Sequence, residues 1–290
     1  MDETRKIIWL ASYPKSGNTW FRVFLANILS NCEQPADINE LRDSTIASNR
    51  QIFDEITGLS AADLTLKEIE NLRPYVYDSI SENASDLTFM KIHDAFLYTS
   101  ENRPLISENA GLKALYFIRN PLDIAVSLAH HLSASMDKAV ENLNNESFSF
   151  CNRTDKLHNQ LEQRLLSWSS HVLSWKEQKV IPIKILRYED MINNTFYTFS
   201  EALKFIGIEK SDSEILMAIK FSSFIELQKQ EKEKGFIEKA PGSDPFFRKG
   251  KIGSWREELT PSQVSKIITK HSFLMKMFGY IGGSGEPLQI

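Results

Sequence analysis

A lysine, a glycine and three small hydroxyl or amide residues crowd one turn near the start of the chain, Ser12-Tyr13-Pro14-Lys15-Ser16-Gly17-Asn18-Thr19-Trp20. The apolar run before it, Ile7 to Ala11, reads as a buried strand, and an amphipathic pattern follows from Trp20. A strand that breaks into a helix over such a turn aims several backbone N–H groups at one spot. The helix dipole adds positive potential there, so the turn is suited to an anion, most often phosphate. Gly17 permits close backbone approach, Lys15 supplies a mobile cation, and Ser16, Asn18 and Thr19 offer further donors.

An ordinary strand–turn–helix joint with a surface lysine would fit the Lys-Ser-Gly triplet equally well. A nucleotide loop of the G-x-x-x-x-G-K-[ST] type does not fit, because Pro14 and Trp9 occupy its two glycine positions. Ser12 and Lys15 have the S-x-x-K spacing of serine acyl enzymes, but no S-D-N triplet accompanies them. Other residues able to do chemistry stand further along: His93 with Lys91 two positions before it, Arg119, Tyr188, and the basic run Arg248-Lys249-Gly250. A lone histidine after a strand is more often structural than catalytic, and a short basic run is as often a solvated face. His130 and His131 are neighbours, which on a helix places them about 100° apart and not as a chelating pair. His158, His171 and His271 have no zinc spacing, so no metal is expected.

The complete string Tyr-Pro-Lys-Ser-Gly-Asn-Thr-Trp is more specific than its parts. It resembles the 5′-phosphosulfate loop of sulfotransferases that use 3′-phosphoadenosine 5′-phosphosulfate (PAPS), with Asn18 where the cytosolic family usually has Thr. Four further stretches resemble that family, in family order and over nearly the whole chain. They are Lys91-Ile92-His93, Arg119-Asn120-Pro121-Leu122-Asp123-Ile124-Ala125-Val126-Ser127, Leu186-Arg187-Tyr188-Glu189-Asp190-Met191 and Phe247-Arg248-Lys249-Gly250-Lys251-Ile252-Gly253-Ser254-Trp255. The last departs from R-K-G-x-x-G-D-W at Ser254, which puts a local turn contact in question.

The resemblance implies that His93 is the catalytic base, that Lys15 stabilises the transferring group and that Lys91 helps to hold the site. It implies a cofactor set of Lys15, Ser16, Gly17, Asn18, Thr19 and Trp20 at the 5′ end. Arg119, Ser127, Arg248, Lys249 and Gly250 would serve the 3′-phosphate, with Tyr188, Ser222, Phe224 and Phe247 as further contacts. Without the resemblance, Trp20 and Phe224 would be read as core. The implied products are adenosine 3′,5′-bisphosphate (PAP) and a sulfated small molecule, the acceptor being a hydroxyl or an amine. A nucleotide kinase, or a nucleotide-binding protein of the same fold without turnover, is the alternative.

These residues need a frame. Leu87 to Ile92, Leu112 to Ile118 and Ile181 to Leu186 read as further strands, and Lys15, His93, Arg119 and Tyr188 each follow a strand. Alternation of strands and helices predicts a single α/β domain over residues 1–290, with a mostly parallel sheet flanked by helices and a P-loop-like site at the carboxyl ends of the strands. Asn120 and Pro121 suit a helix start, and Thr260-Pro261-Ser262-Gln263 is a capping box opening the last helix. Between these, Leu157 to Glu177 reads as one long helix, and a second runs from the Tyr188 strand end to Phe205, closed by Gly207. Residues 31–87 read as a packing layer with helical fragments such as Leu64 to Leu72, and 133–156 as an irregular, asparagine-rich insertion. Gln228 to Phe247 is charged and broken by Pro241, Gly242 and Pro245, as expected of a lid. Residues 31–87, 133–156 and 228–247 are the segments left to shape the acceptor pocket.

Composition narrows the rest. A net charge of −4 over 290 residues gives no broad basic surface for nucleic acid or an anionic membrane, so any anion site must be local. The apolar run after Arg5 and Lys6 is too short for a secretory signal, and no stretch has the roughly 18 apolar residues of a membrane span. Two cysteines, Cys32 and Cys151, make no disulfide framework. The expectation is a cytoplasmic enzyme, monomeric or homodimeric, unlike the membrane-anchored Golgi sulfotransferases.

Overall fold

The computed structural model describes residues 6–30, 33–41, 44–153, 155–239, 242 and 244–288. Arg5, Cys32 and Pro241, on which parts of the sequence reading rest, lie outside them. In chain order the first half contains β1 (Ile7–Ser12), α1 (Asn18–Ser30), β2 (Ser44–Ile46), α2 (Arg50–Thr57), α3 (Leu66–Asn83), β3 (Thr88–Ile92), β4 (Lys113–Ile118), α4 (Pro121–Leu132) and α5 (Met136–Asn144). Then follow β5 (Ser149–Phe150), β6 (Gln163–Arg164), α6 (Trp168–Glu177), β7 (Ile183–Arg187), α7 (Tyr188–Asn193), α8 (Thr195–Ile206), α9 (Asp212–Phe221), α10 (Phe224–Lys234), α11 (Trp255–Glu258) and α12 (Pro261–Met277).

Five strands form one parallel sheet in the order β2-β3-β1-β4-β7, as α/β alternation requires. All six residues of β1 are buried, which is why its sequence is a continuous apolar run and not an alternating one. Helices cover both faces. Phe21, Phe24, Leu25 and Ile28 of α1 pack with Phe199 and Leu203 of α8 on one side. Trp9, Tyr116, Trp168 and Trp175 anchor the core on the other.

The expected caps are present. The Asn120 side chain accepts from the Leu122 N–H with Pro121 at the first turn of α4, and Thr260 and Gln263 form a reciprocal capping box. Four expectations need correction. Residues 157–166 are not helical; α6 starts only after Ser167, whose side chain accepts from the Ser170 N–H. The backbone before it holds β6 and is tied elsewhere, through Leu161 N–H to the Ser48 carbonyl (2.7 Å) and Ala95 N–H to the Arg164 carbonyl (2.8 Å). Residues 133–156 contain α5, opened by Ser135 and buried through Ala139, Val140 and Leu143. The helix expected to run to Phe205 breaks at Asn194 into α7 and α8, with Gly207 closing the second as expected. Finally, the charged run from Gln228 is helical up to Lys234. Leu227 and Gln230 of α10 are buried there, and Gln230 Oε1 accepts from the Ile38 N–H (3.1 Å).

The layer at 31–87 does more than pack. It adds β2 to the sheet edge and brings Thr45, Ile46 and Asn49 to a cavity at the carboxyl ends of the strands. Among the described residues no helix is long and apolar enough to cross a membrane.

Candidate active site

Sheet register decides which strand-end residues meet. Ala11 of β1 lies beside Ile92 of β3, so His93 emerges next to Ser12. Ser12 lies beside Phe117 of β4, and Ile118 beside Arg187 of β7, which sets Arg119 and Tyr188 on the opposite flank. Across the sheet edge the order is therefore His93, Lys15, Arg119, Tyr188, and all four line one cavity of about 530 Å³.

The turn after β1 is built tightly. Lys15 and Gly17 both have left-handed backbone angles (φ 72° and 97°). A Cβ at Gly17 would lie 2.7 Å from the Tyr188 ring, so only glycine fits between loop and tyrosine. Asn18 fastens the loop to the strand that feeds it, its Nδ2 donating to the Leu10 carbonyl (2.8 Å) and Ser12 Oγ (3.2 Å). Its departure from the family's threonine thus serves a structural contact. Ser16 Oγ, Asn18 Oδ1, Trp20 Nε1 and Arg119 Nε are buried without a protein partner. Asn18, Trp20 and Arg119 also line the cavity, whereas Ser16 does not. Burial first, then the charges of Arg119 and Lys91, bring the Lys15 ammonium down to about 7, and its Nζ lies 3.9 Å above the Phe246 ring.

On one flank, His93 Nδ1 lies 2.9 Å from the Ser12 carbonyl oxygen. A carbonyl only accepts, so Nδ1 carries the proton and Nε2 keeps its lone pair. Burial and then Lys91 hold this imidazole well below its ordinary pKa, so it is neutral at physiological pH. The His93 carbonyl is itself fixed by His171 Nε2 (3.0 Å), and His171 Nδ1 by the Tyr116 hydroxyl (2.8 Å). Asp94, the neighbouring carboxylate, turns away into a two-pronged pair with Arg73 (2.9 and 2.7 Å). It supports the strand end and is not among the cavity's lining residues.

On the other flank, the Arg119 guanidinium lies 4.2 Å from the Tyr188 ring centre, a cation–π contact that aims it. It donates to the carbonyls of Lys15 (3.1 Å) and Lys251 (3.0 Å). Ser127, Phe224, Phe247, Arg248, Lys249 and Gly250 also line the cavity. Gly250 is a close-approach glycine, since a Cβ there would meet the Phe224 ring at 2.5 Å. Arg248 and Lys249 both pair with Glu258 (3.0 and 2.8 Å). The turn around Ser254 is held by Asp123, whose carboxylate accepts from the Gly253 (2.7 Å) and Trp255 (3.2 Å) N–H groups. Glu189 likewise supports the frame, accepting from the Asn120 N–H (3.0 Å). Ser222 stands apart. Its hydroxyl donates to the Ala218 carbonyl (2.8 Å), and the residue does not line the cavity.

Sequence reasoning missed Arg22, His131, Phe246, Gln160, Gln163 and Glu238, all of which line the cavity. Glu238, in the segment expected to be a lid, reaches Arg22 Nη1 (2.6 Å) and Lys91 Nζ (2.9 Å). Phe246 and Phe247 are held over the cavity through their N–H groups, which donate to Glu231 (2.6 and 2.9 Å). Among the described residues no cluster of His, Cys, Asp or Glu is placed to hold a metal ion.

The chain is similar to known sulfotransferases. Residues 5–277 match the model of the sulfotransferase domain family. A flavonol 4′-sulfotransferase of Flaveria chlorifolia is 25% identical over 275 residues, covering 90% of this chain and 76% of that one. A 3-alpha-hydroxysteroid sulfotransferase of Cavia porcellus is 26% identical over 280 residues, covering 93% and 83%. Among solved structures, the mouse sulfotransferase SULT7A1 complexed with PAP superposes with a TM-score of 0.57 at 22% identity, covering 96% and 89%, which shows a shared fold.

Proposed function

Since the chain belongs to the sulfotransferase family, we propose that PAPS lies across the sheet edge and that His93 takes the proton of the acceptor hydroxyl. The observation that carries this reading is the order His93, Lys15, Arg119 along one cavity. PAPS has two separated anionic ends and needs two cationic stations. When bound, it supplies an activated sulfuryl group on its 5′ side.

The Lys15 ammonium and the loop N–H groups take that 5′ end, with the Ser16 hydroxyl, which lacks a protein partner, as a further donor; the Asn18 amide stays with the frame. Arg119 takes the 3′-phosphate, its free Nε buried in reach of the same cavity, and Ser127 and the Arg248–Gly250 run assist. Trp20, Phe224 and Phe247 offer ring faces and edges to the base. Transfer of this kind depends on alignment and charge stabilisation more than on covalent help. His93 contributes the one proton movement, through Nε2, and its Nδ1–H bond to Ser12 keeps that nitrogen basic and oriented. A kinase reading lacks the Walker glycines, and a neutral histidine beside the lysine argues for turnover over binding alone.

The acceptor is a small molecule carrying a hydroxyl, in keeping with the flavonol and hydroxysteroid named for the relatives. Its side of the cavity includes Thr45, Asn49, Gln160, Gln163 and His131 beside Ile46 and Phe150, so several of its polar groups can be matched. A cytoplasmic setting belongs to the same reading. Incubation with labelled PAPS and a panel of phenols, sterols and sugar alcohols, followed by mass spectrometry, should yield PAP together with a product heavier by one sulfuryl group. Phosphorylated product from ATP, or no PAP with any acceptor, would overturn the assignment.

A further inference from the structure

We propose that Glu238 is a positioning residue of this active site: its carboxylate, carried on the segment between α10 and Phe247, draws Arg22 and Lys91 to one point beside His93 and balances the charge of the cavity wall. This rests on the cavity being the site of transfer, as proposed above.

The geometry is an ion cluster in which Glu238 joins three parts of the fold. Arg22 comes from α1, Lys91 from β3 and Glu238 from the covering segment. Each carboxylate oxygen has its own cation, Oε1 with Arg22 (2.6 Å) and Oε2 with Lys91 (2.9 Å). The side chains are 4%, 11% and 24% exposed for Arg22, Lys91 and Glu238, so the pairing is only weakly screened. Removing one partner of such a cluster leaves a buried charge uncompensated. Glu238 therefore ties the stretch just after α10 to α1 and β3 at a point on the cavity wall.

Among the described residues, the charged and titratable groups facing Glu238 are Arg22 on α1, Lys91 on β3, Lys15 in the turn after β1, His93 beyond β3 and His131 on α4. Burial alone would raise the Glu238 carboxyl, but Lys91 and Arg22 outweigh it and bring it to about 2, so the group is ionised throughout the working range. Its charge in turn opposes the desolvation that lowers Lys15 and Lys91, and keeps both closer to their cationic forms. Arg22 acts on Lys91 in the opposite sense. Glu238 and Arg22 therefore pull Lys91 in contrary directions, although they form one cluster.

That contrast supplies the test. Competitive acetylation across a pH series, read by peptide mass spectrometry on protein without nucleotide, gives the titration midpoints of Lys15 and Lys91. Glu238→Gln should move both midpoints down by about one pH unit, the scale of one nearby opposite charge. Arg22→Met should move the Lys91 midpoint up. Calorimetry with PAP should then show affinity failing at lower pH in Glu238→Gln than in the unaltered protein. Midpoints that stay in place in both variants, or that move the same way in both, would overturn the proposal, since a merely structural cluster has no reason to separate them. Should Glu238→Gln fail to fold, the Arg22→Met midpoint alone decides, and a fall or no change refutes the proposal. If the midpoints move as expected while the unaltered protein binds no PAP, Glu238 keeps its electrostatic role and the donor assignment falls.

Discussion

His93→Ala should leave the affinity for PAP nearly unchanged and lower kcat by about 10²–10⁴-fold, the usual worth of a positioned general base. The two effects separate because His93 stands at the β3 end of the site, across Lys15 from the Arg119 station. Its Nδ1 is spent on the Ser12 carbonyl, which leaves Nε2 as the atom able to accept a proton. Neither Asp94 nor Glu238, the carboxylates beside it among the described residues, is free to replace it. Asp94 is committed to Arg73 on both oxygens, and Glu238 to Lys91 and Arg22. The check is calorimetry with PAP alongside turnover at saturating acceptor. Full activity in the variant would place the base elsewhere.

Arg119→Ala should weaken PAP by roughly 1.5–3 kcal/mol, the scale of a hydrogen bond to a charged group, while leaving adenosine 5′-phosphate almost untouched. The selectivity follows from the geometry. Arg119 is aimed by the Tyr188 ring and by the carbonyls of Lys15 and Lys251, so its position does not depend on the ligand. Arg248 and Lys249, by contrast, share Glu258, and part of their charge is already offset. In the proposed binding mode Arg119 would thus be the stronger station for a second phosphate. Titration of both nucleotides into both proteins checks this, and an equal weakening for the two ligands would argue for a disturbed frame in place of a missing phosphate partner.

The parts of the site that could be read in advance are those that follow strands. Lys15, His93, Arg119 and Tyr188 each stand at the end of an apolar run, and a parallel sheet brings such ends together whatever fills the loops. The parts that could not be read lie where two periodicities agree or where charge is dense. Leu161, Leu165 and Trp168 have helical spacing, yet Leu161, Gln163 and Leu165 also have the alternate spacing of a strand. The structure buries all three at 1%, 2% and 0% exposure. Gln163 is the one sign, a polar residue within that alternation. In the charged run after Gln228 nothing in the sequence separates Glu238 from its neighbours. Only its meeting with Arg22 and Lys91, 216 and 147 positions away, singles it out. Asn18 shows a different limit. Its amide could be foreseen as a ligand donor, but the structure spends it on Leu10 and Ser12 and leaves only Oδ1 unpaired.

The central claim is that this cavity reads a nucleotide phosphorylated at both its 3′ and 5′ positions. Calorimetry of the unaltered protein with PAP and with ATP, side by side under the same buffer and salt, tests it most directly. The account predicts that PAP binds well and ATP poorly, because ATP concentrates its charge at one end and leaves Arg119 and Ser127 without a phosphate. Equal affinity for the two nucleotides, or a preference for ATP, would contradict it.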